Sequence, residues 1–174
     1  ELTVSAIDAG YRHIIVIGGD GTLHEVVNGI YIQKSVSPQD ITIAVISVGT
    51  GNDWIRMFGI PRRYSEAIRA IKEGYTFLQD VAAVEYEESH YRQVRYMANV
   101  AGIGFDAAVI RRIQNQKAKR RLGKTAYLWC MIRSFFSHKS TGVKIWVDDE
   151  LIYNNLLFSM AIGVGKYNGG GMQQ

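Results

Sequence analysis

The stretch Ile14-Ile15-Val16-Ile17-Gly18-Gly19-Asp20-Gly21-Thr22-Leu23-His24-Glu25-Val26-Val27-Asn28-Gly29-Ile30 decides the fold. Its first four residues are apolar and mostly β-branched, a short run that predicts a buried strand. Gly18 to Thr22 interrupts the run. Leu23, Val26, Val27 and Ile30 then recur at helical spacing, predicting a helix from Leu23 to Ile32. The same order returns downstream. Ile41 to Val48 predicts a second buried strand, and Gly49-Thr50-Gly51-Asn52-Asp53 a second glycine loop. A short helix from Trp54 to Phe58 follows, closed off by Pro61. A helix from Ser65 to Glu73 has Gly74 as its C-cap. Strand, loop and helix taken twice predict a parallel α/β arrangement.

Outward from this core the pattern changes. Glu1 to Ala9 reads as a helix already under way, and Ser35 to Asp40 as a loop. Phe77 to Glu87, Gln93 to Ala101 and Val143 to Val164 read as strands, with a tight hairpin turn over Val147-Asp148-Asp149-Glu150-Leu151. Helical stretches over roughly Asp106 to Gln116 and Leu122 to Phe136 interrupt them. The second half therefore predicts an antiparallel, mainly-β domain with inserted helices. The boundary falls near Gln79 and Asp80, giving domains 1–79 and 80–174. The final glycine run, ending Met172-Gln173-Gln174, reads as a loop, and the chain as a piece of a longer protein.

The chain has 174 residues, 47% hydrophobic and 21% charged. That composition excludes a disordered chain. The single cysteine, Cys130, excludes an internal disulfide and fits a reducing, intracellular site. It falls between Trp129 and Met131 and is expected to pack in a core. Ala126 to Phe136 is the longest apolar stretch, interrupted by Arg133, and is too short to span a bilayer, which takes about 20 residues. His13, His24, His90 and His138 have no metal-site spacing. No Gly-x-Ser-x-Gly pattern suggests a hydrolase.

Charge is uneven. Residues 107–147 hold no acid and ten basic residues, among them Lys119, Arg120, Arg121 and Lys124. Such a block either favours phosphates, of a nucleotide or a lipid headgroup, or is a solvated helix face. The aromatic and basic stretch around Tyr127, Trp129, Arg133, Phe135 and Phe136 reads as core or as a contact with an anionic membrane surface. No nucleic-acid-binding module is recognisable.

A glycine loop between a buried strand and a helix start is where α/β proteins bind phosphate. Helix N–H groups point at the anion, and glycine lets the backbone approach it. Asp20 stands out there, because a carboxylate repels phosphate unless a cation or a proton transfer intervenes. Mg²⁺ coordination and acceptance of a hydroxyl proton both fit, as does a turn-forming role. Thr22 and Glu25 have capping-box spacing. Asn28, inside an apolar helix, binds either a neighbouring loop or a ligand. In the second loop Asp53 reads as a helix N-cap and Asn52 as a hydrogen-bonding partner for a nucleotide. The two loops, each following a parallel strand, are expected side by side at one sheet edge.

Residues 18–29, Gly-Gly-Asp-Gly-Thr-Leu-His-Glu-Val-Val-Asn-Gly, resemble the signature of the diacylglycerol kinase catalytic-domain family, which includes sphingosine, ceramide and bacterial lipid kinases. Three further segments are similar to that family's motifs: 49–56, Gly-Thr-Gly-Asn-Asp-Trp-Ile-Arg; 99–107, Asn-Val-Ala-Gly-Ile-Gly-Phe-Asp-Ala; and 163–172, Gly-Val-Gly-Lys-Tyr-Asn-Gly-Gly-Gly-Met. NAD kinases share the first five residues of the signature, and phosphofructokinases have a close variant. The resemblance implies an α/β nucleotide-binding domain like theirs, followed by a β-sandwich-like lipid domain. It implies transfer of the ATP γ-phosphate to a lipid hydroxyl, with Mg²⁺, at a cytoplasmic membrane surface. An NAD kinase-like enzyme and a non-catalytic nucleotide-binding module are the alternatives. By the same resemblance Asp20 is the catalytic carboxylate and metal ligand. Gly18, Gly19, Gly21, Thr22, Glu25, Gly49, Thr50, Gly51 and Asn52 approach the nucleotide, and Asp53 and Asp106 the acceptor. Lys119, Arg120, Arg121 and Lys124 lie near the phosphates. The family's opening Asn-Pro-x-Ser/Ala-Gly loop, and the Asp-Gly pair it carries after the last motif, are absent from the sequence.

Overall fold

The computed structural model describes residues 1–49, 51–117 and 132–173. Thr50, Lys119, Arg120, Arg121, Lys124, Cys130 and the first part of the second expected inserted helix lie outside the described residues. The chain forms two compact units, Glu1–Val100 with Gly163–Gln174, and Ala101–Ile162. The boundary expected near Gln79 falls inside the first of these.

The first unit opens with helix α1 (Leu2–Asp8), strand β1 (His13–Gly18) and helix α2 (Asp20–Ile32). A 3₁₀ turn (Pro38–Asp40) leads into strand β2 (Thr42–Ser47), then helices α3 (Asp53–Met57) and α4 (Tyr64–Glu73). Strands β1 and β2 are parallel, in register from His13↔Thr42 to Gly18↔Ser47. That is the arrangement expected from the alternating pattern. Apolar residues of α2 close over one face of this pair. Val16, Leu23, Val27, Val45, Trp54, Ile55 and Ala98 form the main buried cluster, and Ile7, Ile30 and Ile41 a second. Trp54 satisfies its indole N–H by donating to Gln79 Oε1 at 2.8 Å, and Gln79 donates in turn to Ala98 O. Helix α4 ends at Gly74, with φ of 72°, as the C-cap glycine predicts.

The expectation that β1 is buried on both faces needs correction. Ile15 and Ile17 are more than half exposed, whereas Val16 on the face that α2 covers is buried. The long strand expected from Gln93 to Ala101 is also two elements. Strands β3 (Ala82–Glu88) and β4 (Tyr91–Met97) form an antiparallel hairpin, and β5 (Val100–Gly104) starts afresh after Ala98 and Asn99.

In the second unit β5 leads into helix α5 (Phe105–Lys117), and residues 132–137 are helical. Strands β6 (Thr141–Val147) and β7 (Glu150–Leu157) form an antiparallel hairpin, and β8 (Ser159–Gly163) pairs with β5. The stretch Val143 to Val164, expected as strands about one hairpin turn, holds three strands. The predicted turn is where the sequence puts it, with Asp148 and Asp149 both at positive φ. Phe105, Phe135, Phe158 and His138 form an aromatic cluster, with Phe105 stacked on Phe158 at 5.1 Å. Phe135 of the aromatic and basic stretch therefore packs within its unit, whereas Phe136 is 84% exposed.

The chain returns to the first unit through a hairpin, β9 (Tyr167–Asn168) and β10 (Met172–Gln173), where the sequence suggested a loop. Among the described residues the architecture is mixed α/β, with the parallel pair β1–β2 and small antiparallel pairs.

Candidate nucleotide site

Gly18 and Ser47 are the last paired residues of β1 and β2, so both glycine loops start side by side. Val48 N–H donates to Gly18 O at 3.0 Å and carries the pairing one step further. The loops then touch glycine to glycine: a Cβ on Gly49 would stand 2.7 Å from Gly19 Cα. Any side chain there would force the loops apart. A Cβ on Gly18 would run into the Thr22 side chain, which folds back over it.

Helix α2 begins three residues earlier than its apolar spacing suggests, at Asp20, with Gly19 as N-cap. The expected capping box is therefore absent. Thr22 lies inside the first turn and makes no cap hydrogen bond, and Glu25 instead meets Arg95 at 3.1 Å. The early start matters for chemistry. The N–H groups of Asp20, Gly21 and Thr22 have no partner within the helix, and they sit in the glycine loop itself. Gly21 has no positive φ, and a Cβ on it would have nothing within 4 Å. The open space beside the helix start is thus on the Gly21 side.

Asp20 is placed by the second loop. Its Oδ1 accepts from Trp54 N–H at 3.1 Å and its Oδ2 from Asp53 N–H at 3.2 Å. Asp20 thereby caps α3 from another element. Asp53, expected as that cap, is the first helical residue, and the N-cap is Asn52, in a left-handed conformation with φ of 55°. The reason is geometric. With α2 starting at Asp20, its carboxylate reaches the α3 amides first, and the Asp53 side chain turns elsewhere. Its Oδ2 accepts from Gly170 N–H at 2.8 Å, and its Oδ1 lies 3.7 Å from Arg56 Nε. Asn52 is buried. Its Nδ2 donates to Gly49 O, and its Oδ1 has no hydrogen-bond partner. Arg62 donates to Gly51 O at 3.0 Å and braces the loop from outside.

A Cβ on Gly51 would stand 3.2 Å from Asp20 Oδ2. Its absence leaves the carboxylate an open side. One carboxylate beside phosphates suits Mg²⁺, which keeps most of its shell from water and phosphate oxygens. Among the described residues no group of three or more His, Cys, Asp or Glu could hold a metal by itself.

Asn28 proves to be a neighbour's partner. Its amide pairs with β4 as a strand would, Oδ1 accepting from Tyr96 N–H at 2.9 Å and Nδ2 donating to Tyr96 O at 2.8 Å. His24, one turn before it, is half-buried. Burial, with the Arg95 guanidinium beside it, lowers its pKa, and Glu25 opposes the shift. Asp106 belongs to the second unit, in the first turn of α5, where Gly102 makes room for it: a Cβ there would lie 2.7 Å from Asp106 Cβ.

Sequence reasoning gave no role to Arg56, Arg62 or Asn99. Arg56 stands three residues from Asp53 on one helix, a spacing that could have flagged the ion pair. Arg62 and Asn99 carried no such signal. Asn99 accepts at its carbonyl from the N–H groups of Val164 and Gly165, at 2.9 and 3.0 Å.

Two glycine loops at the ends of paired parallel strands, with helix N–H groups beside a carboxylate, are the hallmarks of an α/β phosphate-binding domain. Residues 1–84 match the family model described as the diacylglycerol kinase catalytic domain. The resemblance carried by the glycine motifs is borne out. The chain is 29% identical over 173 residues to a Pseudomonas syringae protein named "Probable lipid kinase YegS-like", covering 98% of the chain and 51% of the relative. It is 32% identical over 158 residues to a Staphylococcus epidermidis diacylglycerol kinase, covering 90% and 46%. The crystal structure of a Bacillus anthracis diacylglycerol kinase superposes with a TM-score of 0.62 at 30% identity, covering 99% of this chain and 52% of that one. The chain spans about half the length of these relatives.

Proposed function

We propose that this chain carries the nucleotide site of an ATP- and Mg²⁺-dependent lipid kinase, which passes the γ-phosphoryl group to a lipid hydroxyl. The carrying observation is the start of α2 inside the first glycine loop, against the second loop. The N–H groups of Asp20, Gly21 and Thr22 hold the phosphates, and Asn52 presents a buried acceptor to a donor on the nucleotide. Glu25 meets Arg95 at 3.1 Å and is read, with the loop residues, as approaching the nucleotide. The α/β part is read as NAD kinase-like, and the β-rich remainder as the start of a sandwich-like lipid domain that brings Asp106 to the acceptor.

Asp20 would hold Mg²⁺, which supplies charge neutralisation between the phosphates when bound. The bond from the γ-phosphorus to the β–γ bridging oxygen breaks as the lipid oxygen attacks in line. ADP leaves, and the hydroxyl proton passes to a carboxylate, for which Asp20 is the candidate. The protein's part is positioning and electrostatics, with no covalent intermediate on the chain.

The acceptor is read as diacylglycerol-like or sphingoid. Lys119, Arg120, Arg121 and Lys124 are read as serving phosphate, of the nucleotide or of an anionic lipid surface. The enzyme would work on the cytoplasmic side, as a peripheral visitor to the membrane. No helix among the described residues is long and apolar enough to cross one.

The test is ADP release by the intact protein, with diacylglycerol or a sphingoid base in mixed micelles, against NAD. Release that needs a lipid acceptor is expected. Release driven by NAD would transfer the reading to the NAD kinases. ATP binding with no turnover on any acceptor would leave a nucleotide-binding module.

A further inference from the structure

The two nucleotide loops account for Asp20 and Asn52 but leave a buried carboxylate unused. Asp53 is 7% exposed, and its side chain faces the C-terminal glycine turn rather than the loops. That turn joins β9 to β10 through Gly169, Gly170 and Gly171, with φ values of 61°, 90° and 114°. Three successive residues in the left-handed region demand glycine. Glycine also loses the most chain entropy on ordering, and such a turn has no side chains with which to anchor itself. One anchor comes from 117 residues away in sequence. Gly170 N–H donates to Asp53 Oδ2 at 2.8 Å, a charge-assisted bond. Arg56 closes the other side: a Cβ on Gly171 would stand 2.8 Å from Arg56 Nη1. The returning segment is held earlier as well, where Asn99 O accepts from Val164 and Gly165.

Resting on the proposed kinase reading, we infer that Asp53 is a positioning residue. Its carboxylate fixes the Gly169–Gly171 turn at a set offset from the nucleotide loops. Asp53 is a joint between two contacts. Its backbone N–H is bound by Asp20 of the first loop, and its side chain binds the turn. Truncating the side chain spares the first contact and cuts the second. The nucleotide loops should then keep their geometry, and the defect should fall on the catalytic step rather than on nucleotide capture. The sequence resemblance placed Asp53 against the acceptor; in this inference it acts through the turn.

The experiment compares Asp53→Ala and Asp53→Asn with wild type in the intact protein. It reads steady-state kinetics with Mg-ATP and diacylglycerol in mixed micelles, thermal melting, and amide hydrogen exchange over residues 167–173. Asparagine keeps an acceptor oxygen for Gly170 N–H but no charge. In Asp53→Ala, exchange at the turn should rise about ten-fold while α3 stays protected. Its kcat should fall about ten-fold with KM for ATP within about two-fold of wild type. Asp53→Asn should recover most of both losses. A folded Asp53→Asn as inactive as Asp53→Ala would overturn the inference, because charge would then be what matters. An Asp53→Ala whose turn exchanges like wild type would overturn it too. Should wild type transfer no phosphoryl group, the kinase reading fails, and hydrogen exchange alone decides the tether.

Discussion

Replacing Asp20 tests both of its roles at once, and the two can be separated. The carboxylate accepts from Asp53 and Trp54 N–H groups and so caps α3. Loss of an N-cap costs about 0.5–2 kcal/mol, and two bonds to a charged acceptor belong at the upper end. Helix α3 delivers Trp54 and Ile55 into the main core, so its fraying is felt there. Asp20→Ala should therefore lose about 2 kcal/mol, lowering the melting temperature by about 4–8 °C for a chain of this size. Asp20→Asn keeps one acceptor oxygen and should lose about half as much. Phosphoryl transfer behaves differently. Asparagine supplies neither a metal-binding charge nor a proton acceptor, so both variants should lose more than about ten-fold in kcat, or roughly 1.4 kcal/mol of barrier. Melting curves and ADP release on the same preparations provide the two readouts. An Asp20→Ala that melts with wild type would refute the cap. A folded Asp20→Asn with more than about a tenth of wild-type kcat would remove Asp20 from the mechanism.

Gly21→Ala should keep or raise stability by up to about 1 kcal/mol, since the position is helical and open; calorimetry should still show ATP affinity falling, and unchanged affinity would show that no phosphate uses the space. Asn28→Ala removes both bonds to Tyr96 and leaves strand groups unpaired, so urea unfolding should record a loss of about 2–4 kcal/mol. His24 has a lowered folded pKa, so the unfolded chain takes up a proton first as pH falls below about 6.5. Stability should drop between that pH and the folded pKa and level off below it; His24→Gln should show a smaller drop in melting temperature between pH 8 and 5. Reversing Lys119, Arg120 and Arg121 to Glu should either raise KM for ATP or weaken binding to anionic vesicles, at about 1 kcal/mol per residue. A triple variant matching wild type in both would mark the block as a solvated face.

The α/β half was legible because its signals are local and periodic. The Ile14–Ile17 run, the glycine loop and the apolar spacing after Leu23 each have one good local solution, and the chain adopts it. The site was legible to the level of its segments but not of its bonds. Thr22 and Glu25 match a capping box, yet Gly19 can adopt the extended N-cap geometry and moves the helix start to Asp20. Asp53 matches an N-cap, yet Asp20 reaches the same amides across the fold. In the first case one local solution displaced another, and in the second a tertiary contact overrode a local preference. Asn28 stood out as an oddity, but nothing in the sequence pairs it with the strand it serves, 68 residues away. In the β-rich half, apolar runs set where strands begin but not where they break. Asn99 interrupts one such run with a carbonyl that serves the returning segment.

The glycines of the two loops divide by what a side chain would meet. At Gly18 it would meet Thr22, and at Gly19 and Gly49 the facing backbone. Gly19 and Gly49 are needed for the loops to approach each other, and Gly18 for Thr22 to fold back, whether or not a ligand is present. A substitution there changes the fold first and binding second. Gly21 differs, because nothing in the chain competes for its missing side chain and its backbone is ordinary helix. Packing gives no reason for glycine there, and helix propensity argues against it. What remains is access to the first-turn N–H groups, which a Cβ would crowd. An anion held there would have Asp20 on its flank, drawn aside toward α3 by two backbone bonds. A carboxylate so placed keeps one open edge toward Gly51, where a cation bridging it to phosphate would offset the repulsion. On the proposed reading the site would pair a phosphate cradle with a restrained carboxylate, which is the combination phosphoryl transfer needs and simple phosphate binding does not.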